Sequence, residues 1–509
     1  MVTKVLSGMV RGIESFPVYV ETDISNGLPG FDLVGYLSSE LKEARERVRT
    51  SLKNSGYALP IAHITVNLSP ANVRKSGTGY DLPIAISILI CMGIIPKKAI
   101  QDTFIVGEMM LSGKINSTRG ILPMLMMAKK NGATRCIIPK DNMEEGSIVD
   151  GIDVYGVNHI NEVVAFLRGD IQLPKIHSII KEKLNQVHFF QNDFAQIKGQ
   201  RLAKRGAEIA AAGLHNVLMT GPPGSGKTMI AKCIPSILAP LSLEECLEVS
   251  AIYSVKGALT KDNPLITQRP FITAHHTSTD IALIGGGVTI RPGAVSLAHK
   301  GVLFLDEIPE FSRNALEALR QPLEDREVNI TRNRDICVFP SDFMLVAAMN
   351  PCPCGNYPDR NKCICTEAAR LKYLSKISGP LLDRIDLCIN VEKVSLSEFM
   401  KKDEGDSEEE SSKTISERVI KAHRIQTERF RGSGILFNSQ MDNKQIETYC
   451  TLSSEDTKLL EKMAGKYDIS ARSYYRILRV ARTIADLAGE ENIKTEHLLE
   501  SIRLKQNIK

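Results

Sequence analysis

Tryptophan is absent from these 509 residues, and aromatic residues of all kinds make up only 5% of them. Neither shortage weighs against a chain that is 43% hydrophobic and 24% charged, a globular composition that excludes global disorder and a fibrous fold. Long apolar runs are also missing. The longest, Leu82–Ile95, holds 14 residues where a bilayer-spanning helix needs about 20, so no membrane partner is expected. The first residues, Met-Val-Thr-Lys-Val-Leu-Ser-Gly, lack the charged start and apolar stretch of a secretory leader, which leads to the expectation of a cytoplasmic protein. Nor is there an even cysteine framework. Eleven cysteines, four of them within Cys352–Cys365, read as cytosolic thiols, some of them candidates for metal binding. A basic excess of only five charges permits a nucleic-acid partner without requiring one.

The length points to about three domains. Residues 1–170 alternate strand-like stretches (Pro17–Ile24, His63–Leu68) with helical periodicity (Glu40–Lys53, Asp81–Met92), as expected of a compact α/β unit. A polar connection, 171–193, leads to a second unit at 194–394. The segment 395–413 follows, and its part Lys401–Lys413 contains no apolar residue, the pattern of a solvated linker. From residue 414 to 509 the pattern is helical throughout.

The chemistry sits in the second unit. The apolar stretch Asn216–Thr220 runs into Gly221-Pro222-Pro223-Gly224-Ser225-Gly226-Lys227-Thr228 and then into a helical pattern, which is a complete P-loop in its strand–loop–helix setting. Its glycines let backbone N–H groups close on phosphate oxygens, Lys227 reaches the β- and γ-phosphates, and Thr228 offers a hydroxyl to Mg²⁺. Gly301–Leu305 reads as a buried parallel strand ending in Asp306 and Glu307. Asp306 suits Mg²⁺ and Glu307 suits polarising an attacking water. A third strand, Phe343–Met349, ends in Asn350, an amide placed to orient water. Arg384 and Arg472 are candidates for stabilising charge on the transferred phosphoryl group, against the alternative of surface ion pairs.

This ordered set resembles an AAA+ ATPase, and more narrowly the magnesium-chelatase-like ATPases of the YifB/ComM type. The narrower resemblance rests on Ala274-His-His-Thr-Ser-Thr-Asp, Gly285-Gly-Gly, Leu319-Arg-Gln-Pro-Leu-Glu-Asp, Ala348-Met-Asn-Pro-Cys-Pro-Cys-Gly and Ser378-Gly-Pro-Leu-Leu-Asp-Arg-Ile-Asp. It covers nearly the whole chain. It implies an α/β fold: an N-terminal Lon-protease-like, S5-like α+β domain, an AAA+ P-loop core with a parallel sheet, and a C-terminal helical lid. It also implies ATP and Mg²⁺ as cofactors and a homo-hexameric ring. In that ring Arg384 would reach the adjacent subunit's ATP and Arg472 would act from the lid. The work implied is on single-stranded or branched DNA, helicase-like branch migration associated with competence.

Asp306 lies 79 residues after Lys227, which leaves room for an insertion, expected at Tyr253–Arg291. Val328–Val338 alternates toward a polar tip and reads as a β-hairpin. The resemblance puts both excursions in the ring pore, where Arg332 and Arg334 suit sequence-independent contacts to DNA phosphates. His275 and His276 could contact phosphates or bind metal, but as adjacent histidines with no carboxylate at ligand spacing they read as structural or hydrogen-bonding residues. Arg472, Arg476, Arg479 and Arg482 share one side of a helix, and the last three read as a solvated face or as DNA or subunit contacts.

Cys352-x-Cys354 and Cys363-x-Cys365 supply four thiols within one loop, enough for a tetrahedral zinc site. Zn²⁺ and four reduced thiols stay open as alternatives. The N-terminal unit, with Gly27–Gly35 and Arg74–Asp81, resembles the Lon-type fold, which raises ATP-driven proteolysis by a Ser-Lys dyad. The resemblance puts Gly79 at the serine position and Leu122 at the lysine position, so both are empty, although Lys75 and Ser76 lie close by. A third alternative is a metal-chelatase motor subunit, which is expected to lack such an N-terminal unit.

Overall fold

The computed structural model describes residues 2–176, 178, 180–184, 190–287, 289–332, 335–359, 361–393, 409–467 and 470–505. They form two compact units. One contains residues 1–187 and 243–267, the other residues 188–242 and 268–509.

The first unit is built on an eight-stranded mixed sheet of β1 (Thr3–Arg11), β2 (Glu14–Ser25), β3 (Gly30–Val34), β4 (His63–Ser69), β5 (Thr103–Ile105), β6 (Arg135–Pro139), β7 (Asp153–Val157) and β8 (Lys175–Ile176), in the order β8-β7-β6-β5-β1-β2-β4-β3. The helix Asp81–Cys91 is buried along nearly its whole length, which is why its sequence is apolar on every side. Its first residue, Asp81, is buried and takes two 2.9 Å hydrogen bonds from Arg47. The tract read as a connection contributes a strand, because Lys175 and Ile176 pair antiparallel with β7.

The second unit holds a five-stranded parallel sheet: β9 (Val217–Thr220), β10 (Phe271–Ala274), β11 (Val302–Leu305), β12 (Met344–Met349) and β13 (Leu387–Asn390), ordered β10-β11-β12-β9-β13. β11 and β12 are buried at every residue, as strands covered on both faces must be. The expected single insertion is two excursions. Residues 243–267 leave this unit, and the helix Leu243–Lys256 packs on the helix Ile121–Lys130 of the first unit. There Ser254 donates to the buried Glu145 carboxylate, which also accepts the Leu122 N–H at 2.9 Å. The chain then returns as β10, whose Phe271 stacks on Phe304 of β11, and departs again through the helix Asp280–Ile284. The expected hairpin is present as Glu327–Arg332 paired with Asp335–Pro340, Arg332 opposite Asp335. Arg334 and the side chain of Arg332 lie outside the described residues.

Helices Ser412–Arg429, Asn443–Tyr449, Ser454–Tyr467, Ala471–Ala488 and Thr495–Lys505 complete this unit. The helix Ala471–Ala488 is capped by Ser470, ends at Gly489 with φ 72°, and buries Ile477, Val480, Ala481 and Ile484 along one stripe. The arginine face read from its sequence is not one solvated face. Arg482 is 2% exposed; it donates to Asp486 at 3.1 Å and to the Glu491 and Glu490 carbonyls at 2.7 and 2.6 Å. Arg429 meets the same carboxylate at 2.5 and 2.8 Å, and Asn438 adds a further 2.8 Å bond. One carboxylate therefore holds two arginines in a dry interior. Asp486→Ala is expected to destabilise the lid by about 3–5 kcal/mol, because both charges lose their partner. Arg472→Ala, at an exposed position, is expected to leave the urea midpoint unchanged; equal midpoints for both variants would contradict this assignment.

Candidate functional site

Two clefts lie at opposite ends of the parallel strands. At the C-terminal end β9 runs into the P-loop, and the helix Lys227–Cys233 follows it. Gly224 and Gly226 have φ of 74° and 92°, and a Cβ at either would meet no atom within 4 Å. Those two positions thus need glycine for their backbone and leave open room for phosphate oxygens. Gly221 needs glycine for closeness, since a Cβ there would stand 2.2 Å from the Val391 carbonyl.

Lys227 donates to the Gly221 and Pro222 carbonyls at 2.7 and 3.0 Å and to the Asn350 amide oxygen at 3.3 Å. Burial pushes its pKa below the ordinary lysine value, and Asp306 and Glu307 pull it back up. Thr228 donates to the Asp306 carboxylate at 3.0 Å, which puts a hydroxyl and a carboxylate side by side, the hard oxygen pair that suits Mg²⁺. Glu307 has φ 52°, costly for a residue with a Cβ. This turn directs its half-exposed carboxylate into a cavity of about 290 Å³ lined by Thr228, Lys232, His275, His276, Phe304 and Asp306.

His276 Nδ1 stands 3.6 Å from the Glu307 carboxylate, so a carboxylate reaches the histidines from the adjacent strand. Ala274 pairs with Leu305, and the residues that follow on each strand meet beyond the sheet edge. No local spacing reveals this. The signal was Phe271–Ala274 itself, a short strand parallel to β11.

The opposite end of the sheet carries the second cleft, of about 550 Å³, lined by Arg326, Arg384, Arg472, Arg476 and Arg479 together with Glu324, Asp342, Asp383 and Asp386. Arg384 donates to the Pro380 carbonyl at 2.7 Å and pairs with Glu324, while its buried Nε has no partner among the described residues. Arg476 lies 2.5 Å from Asp386. Burial pushes that carboxyl upward, and Arg476 with His215 outweighs it and holds the group well below the carboxylate range. Arg479 donates to the Met441 carbonyl. Arg384 and Arg472 are thus brought together but kept from Lys227: β12 alone, at six residues, spans about 20 Å between the two ends.

The sulfurs of Cys352, Cys354, Cys363 and Cys365 lie within 4.8 Å of one another. Three of the separations are 3.4, 3.7 and 3.6 Å. Four thiolates around zinc at about 2.3 Å stand about 3.8 Å apart, so the set is arranged as a metal site, and all eleven cysteines are free of disulfides. In the first unit, Leu122 is buried and a Cβ on Gly79 would press on Val106 and Thr118 at 3.1 and 3.2 Å. The buried Lys75 amine donates to the Pro70 carbonyl, and Ser76 is exposed.

A P-loop whose threonine meets an aspartate from the third strand of a parallel sheet, beside a helical lid, defines the class: AAA+ type P-loop ATPases. Comparison with known proteins narrows it. Family models described as "Magnesium chelatase, subunit ChlI", "Subunit ChlI of Mg-chelatase" and "Magnesium chelatase, subunit ChlI C-terminal" match residues 193–399, 20–142 and 409–505. The chain is 41% identical over 502 residues to the competence protein ComM of Haemophilus influenzae, covering 98% of this chain and 96% of that protein. It is 40% identical over 493 residues to the YifB protein of Escherichia coli, covering 96% and 94%. It is 23% identical over 343 residues to the Holliday junction branch migration complex subunit RuvB of Mycoplasma pneumoniae, covering 62% and 91%. The chain belongs to the magnesium-chelatase-like family of the YifB/ComM type, a family of ATP-dependent motors.

The separation of the two clefts yields a test. For a ring that sets the two clefts against each other, Lys227→Ala and Arg384→Ala subunits, each inactive alone, are expected to recover ATP hydrolysis at about a quarter of interfaces when mixed. Arg472→Ala is expected to complement Lys227→Ala in the same way. An Arg472 serving its own P-loop would give no recovery in verified mixed rings.

Proposed function

We propose that the protein is a Mg²⁺-dependent ATPase that works as a homo-hexameric DNA motor in the cytoplasm, moving branched or single-stranded DNA as a branch-migration helicase. The observation that carries this reading is the distance between the P-loop cleft and the arginine cavity. Neither is a complete hydrolytic site, and a closed ring that sets one against the other completes both. The names of two relatives, a competence protein and a branch migration subunit, support DNA as the substrate. Among the described residues no helix is long and apolar enough to cross a membrane.

In this reading the P-loop backbone and Lys227 hold the phosphates of ATP, and Thr228 and Asp306 hold Mg²⁺, which supplies charge neutralisation there. Glu307 polarises the attacking water and Asn350 orients it. Arg384 and Arg472 face the neighbouring subunit's γ-phosphate from the opposite end of the sheet. The hairpin with Arg332 and Arg334 contacts DNA phosphates, and the four thiols of the Cys352–Cys365 loop hold Zn²⁺. The first unit is a non-proteolytic module, because Gly79 and Leu122 supply neither hydroxyl nor amine and the Lys75 amine is engaged by a carbonyl.

The wild-type chain is expected to move the branch of a four-way DNA junction with ATP and Mg²⁺. Glu307→Gln is expected to bind ATP while hydrolysis falls about 10²-fold or more. Junctions left intact by a chain that hydrolyses ATP, together with degradation of an unfolded protein substrate, would replace this reading with the peptidase one. For the hairpin, DNA affinity is expected to fall steeply with salt, and Arg332→Ala/Arg334→Ala to lower the logarithmic slope by about one unit for each phosphate that is no longer neutralised. An unchanged slope removes the hairpin from the DNA path.

A further inference from the structure

The loop that carries the four cysteines has almost no apolar interior. Of the described residues among 352–365 only Cys352 and Gly355 are buried, while Ile364 is 89% exposed and the Tyr357 ring lies outside under Arg370. Its backbone bonds are local turns, such as Gly355 N–H to the Cys352 carbonyl at 3.0 Å and Cys363 N–H to the Asp359 carbonyl at 2.8 Å. A segment this short without a core needs a cross-link to hold one shape, and the converging sulfurs are the group able to provide it.

This loop leans on the nucleotide site at two points. Gly355, with φ 79°, packs so closely on the P-loop that a Cβ would fall 2.5 and 2.7 Å from the Pro223 ring carbons. The same Cβ would be 3.8 Å from the Asn350 side chain, which accepts from Lys227. Cys352 follows Asn350 by two residues, so the sulfur cluster is anchored to the end of β12 that presents that amide.

We propose that the thiolate-bound zinc controls nucleotide binding: the closed clasp holds Gly355 against Pro223 and keeps Asn350 on Lys227, and removal of the metal loosens both supports together. This rests on the readings of the thiols as a zinc site and of the P-loop as an ATP site, and it adds a regulatory link between them. Occupancy of the clasp then sets ATP affinity in each subunit, so zinc supply or a thiol-modifying agent acts on the motor without entering its nucleotide cleft. Zinc fits better than an iron–sulfur cluster, because thiols this close leave room for one ion and no bridging sulfides.

The experiment uses the full chain and two readouts, zinc per chain by elemental mass spectrometry and affinity for a fluorescent ATP analogue. Wild type is expected to carry one zinc. Chelation is expected to weaken the analogue's binding at least ten-fold, and zinc, not Mg²⁺, to restore it. Cys354→Ser/Cys363→Ser is expected to lose zinc and affinity together. Gly355→Ala leaves the sulfurs untouched and is expected to keep zinc while binding the analogue about ten-fold more weakly; Lys227→Ala keeps zinc and fails to bind. Unchanged affinity after zinc removal, or in Gly355→Ala, overturns the coupling while the zinc reading stands. A zinc-free, or iron-loaded, wild type that binds the analogue fully overturns the zinc reading and the coupling with it. A zinc-loaded wild type that binds no analogue overturns the nucleotide reading instead.

Discussion

All five strands of the P-loop sheet run in one direction, and the rest of the site follows from that. Parallel strands send every C-terminal end to one edge, where the crevice beyond the sheet collects the connecting loops. Lys227 and Thr228 leave β9 there, His276 leaves β10, Asp306 and Glu307 leave β11, and Asn350 leaves β12. The N-terminal ends gather on the other edge, where Asn216, Phe343 and Asp386 border the arginine cavity. A pairing error of one strand would separate Thr228 from Asp306, now 3.0 Å apart.

The same separation sorts the arginines of the helix Ala471–Ala488. Arg472 opens the helix at an exposed position on the cavity, Arg476 neutralises the buried Asp386, Arg479 reaches a carbonyl, and Arg482 is sealed among Asp486 and two carbonyls. Steps of three and four residues put all four on one side of the helix, and the depth of the surrounding lid differs along it. The outermost is therefore exposed and the innermost is committed to packing.

What was legible in the sequence was chemistry whose parts are contiguous. The P-loop, the acidic pair after an apolar strand, Asn350 and the cysteine loop each declare themselves within a few residues, because backbone geometry fixes their neighbours. The long strands and helices of the first unit, His63–Ser69 and Asp81–Cys91 among them, were readable for the same reason. The contact of His276 with Glu307 was not, since it depends on Phe271–Ala274 pairing with β11, and a four-residue edge strand carries little periodicity. The division of one expected insertion into two was hidden too: Leu243–Lys256 reads as an ordinary helix, and its partner, Glu145 beside Ser254, lies more than a hundred residues away. The burial of Arg482 depends on Arg429 and Asn438 arriving from another helix and from the short 3-10 turn Asn438–Gln440.

We propose that a complete hydrolytic site is shared between subunits across the edge of the sheet. The most direct test is the experimental structure of Glu307→Gln bound to ATP, Mg²⁺ and a four-way junction. The account predicts a closed ring in which each triphosphate lies between Lys227 and Thr228 of one subunit and Arg384 and Arg472 of the next. A triphosphate whose nearest arginines are those of its own chain, or an ATP-bound chain that remains a monomer on DNA, would contradict it.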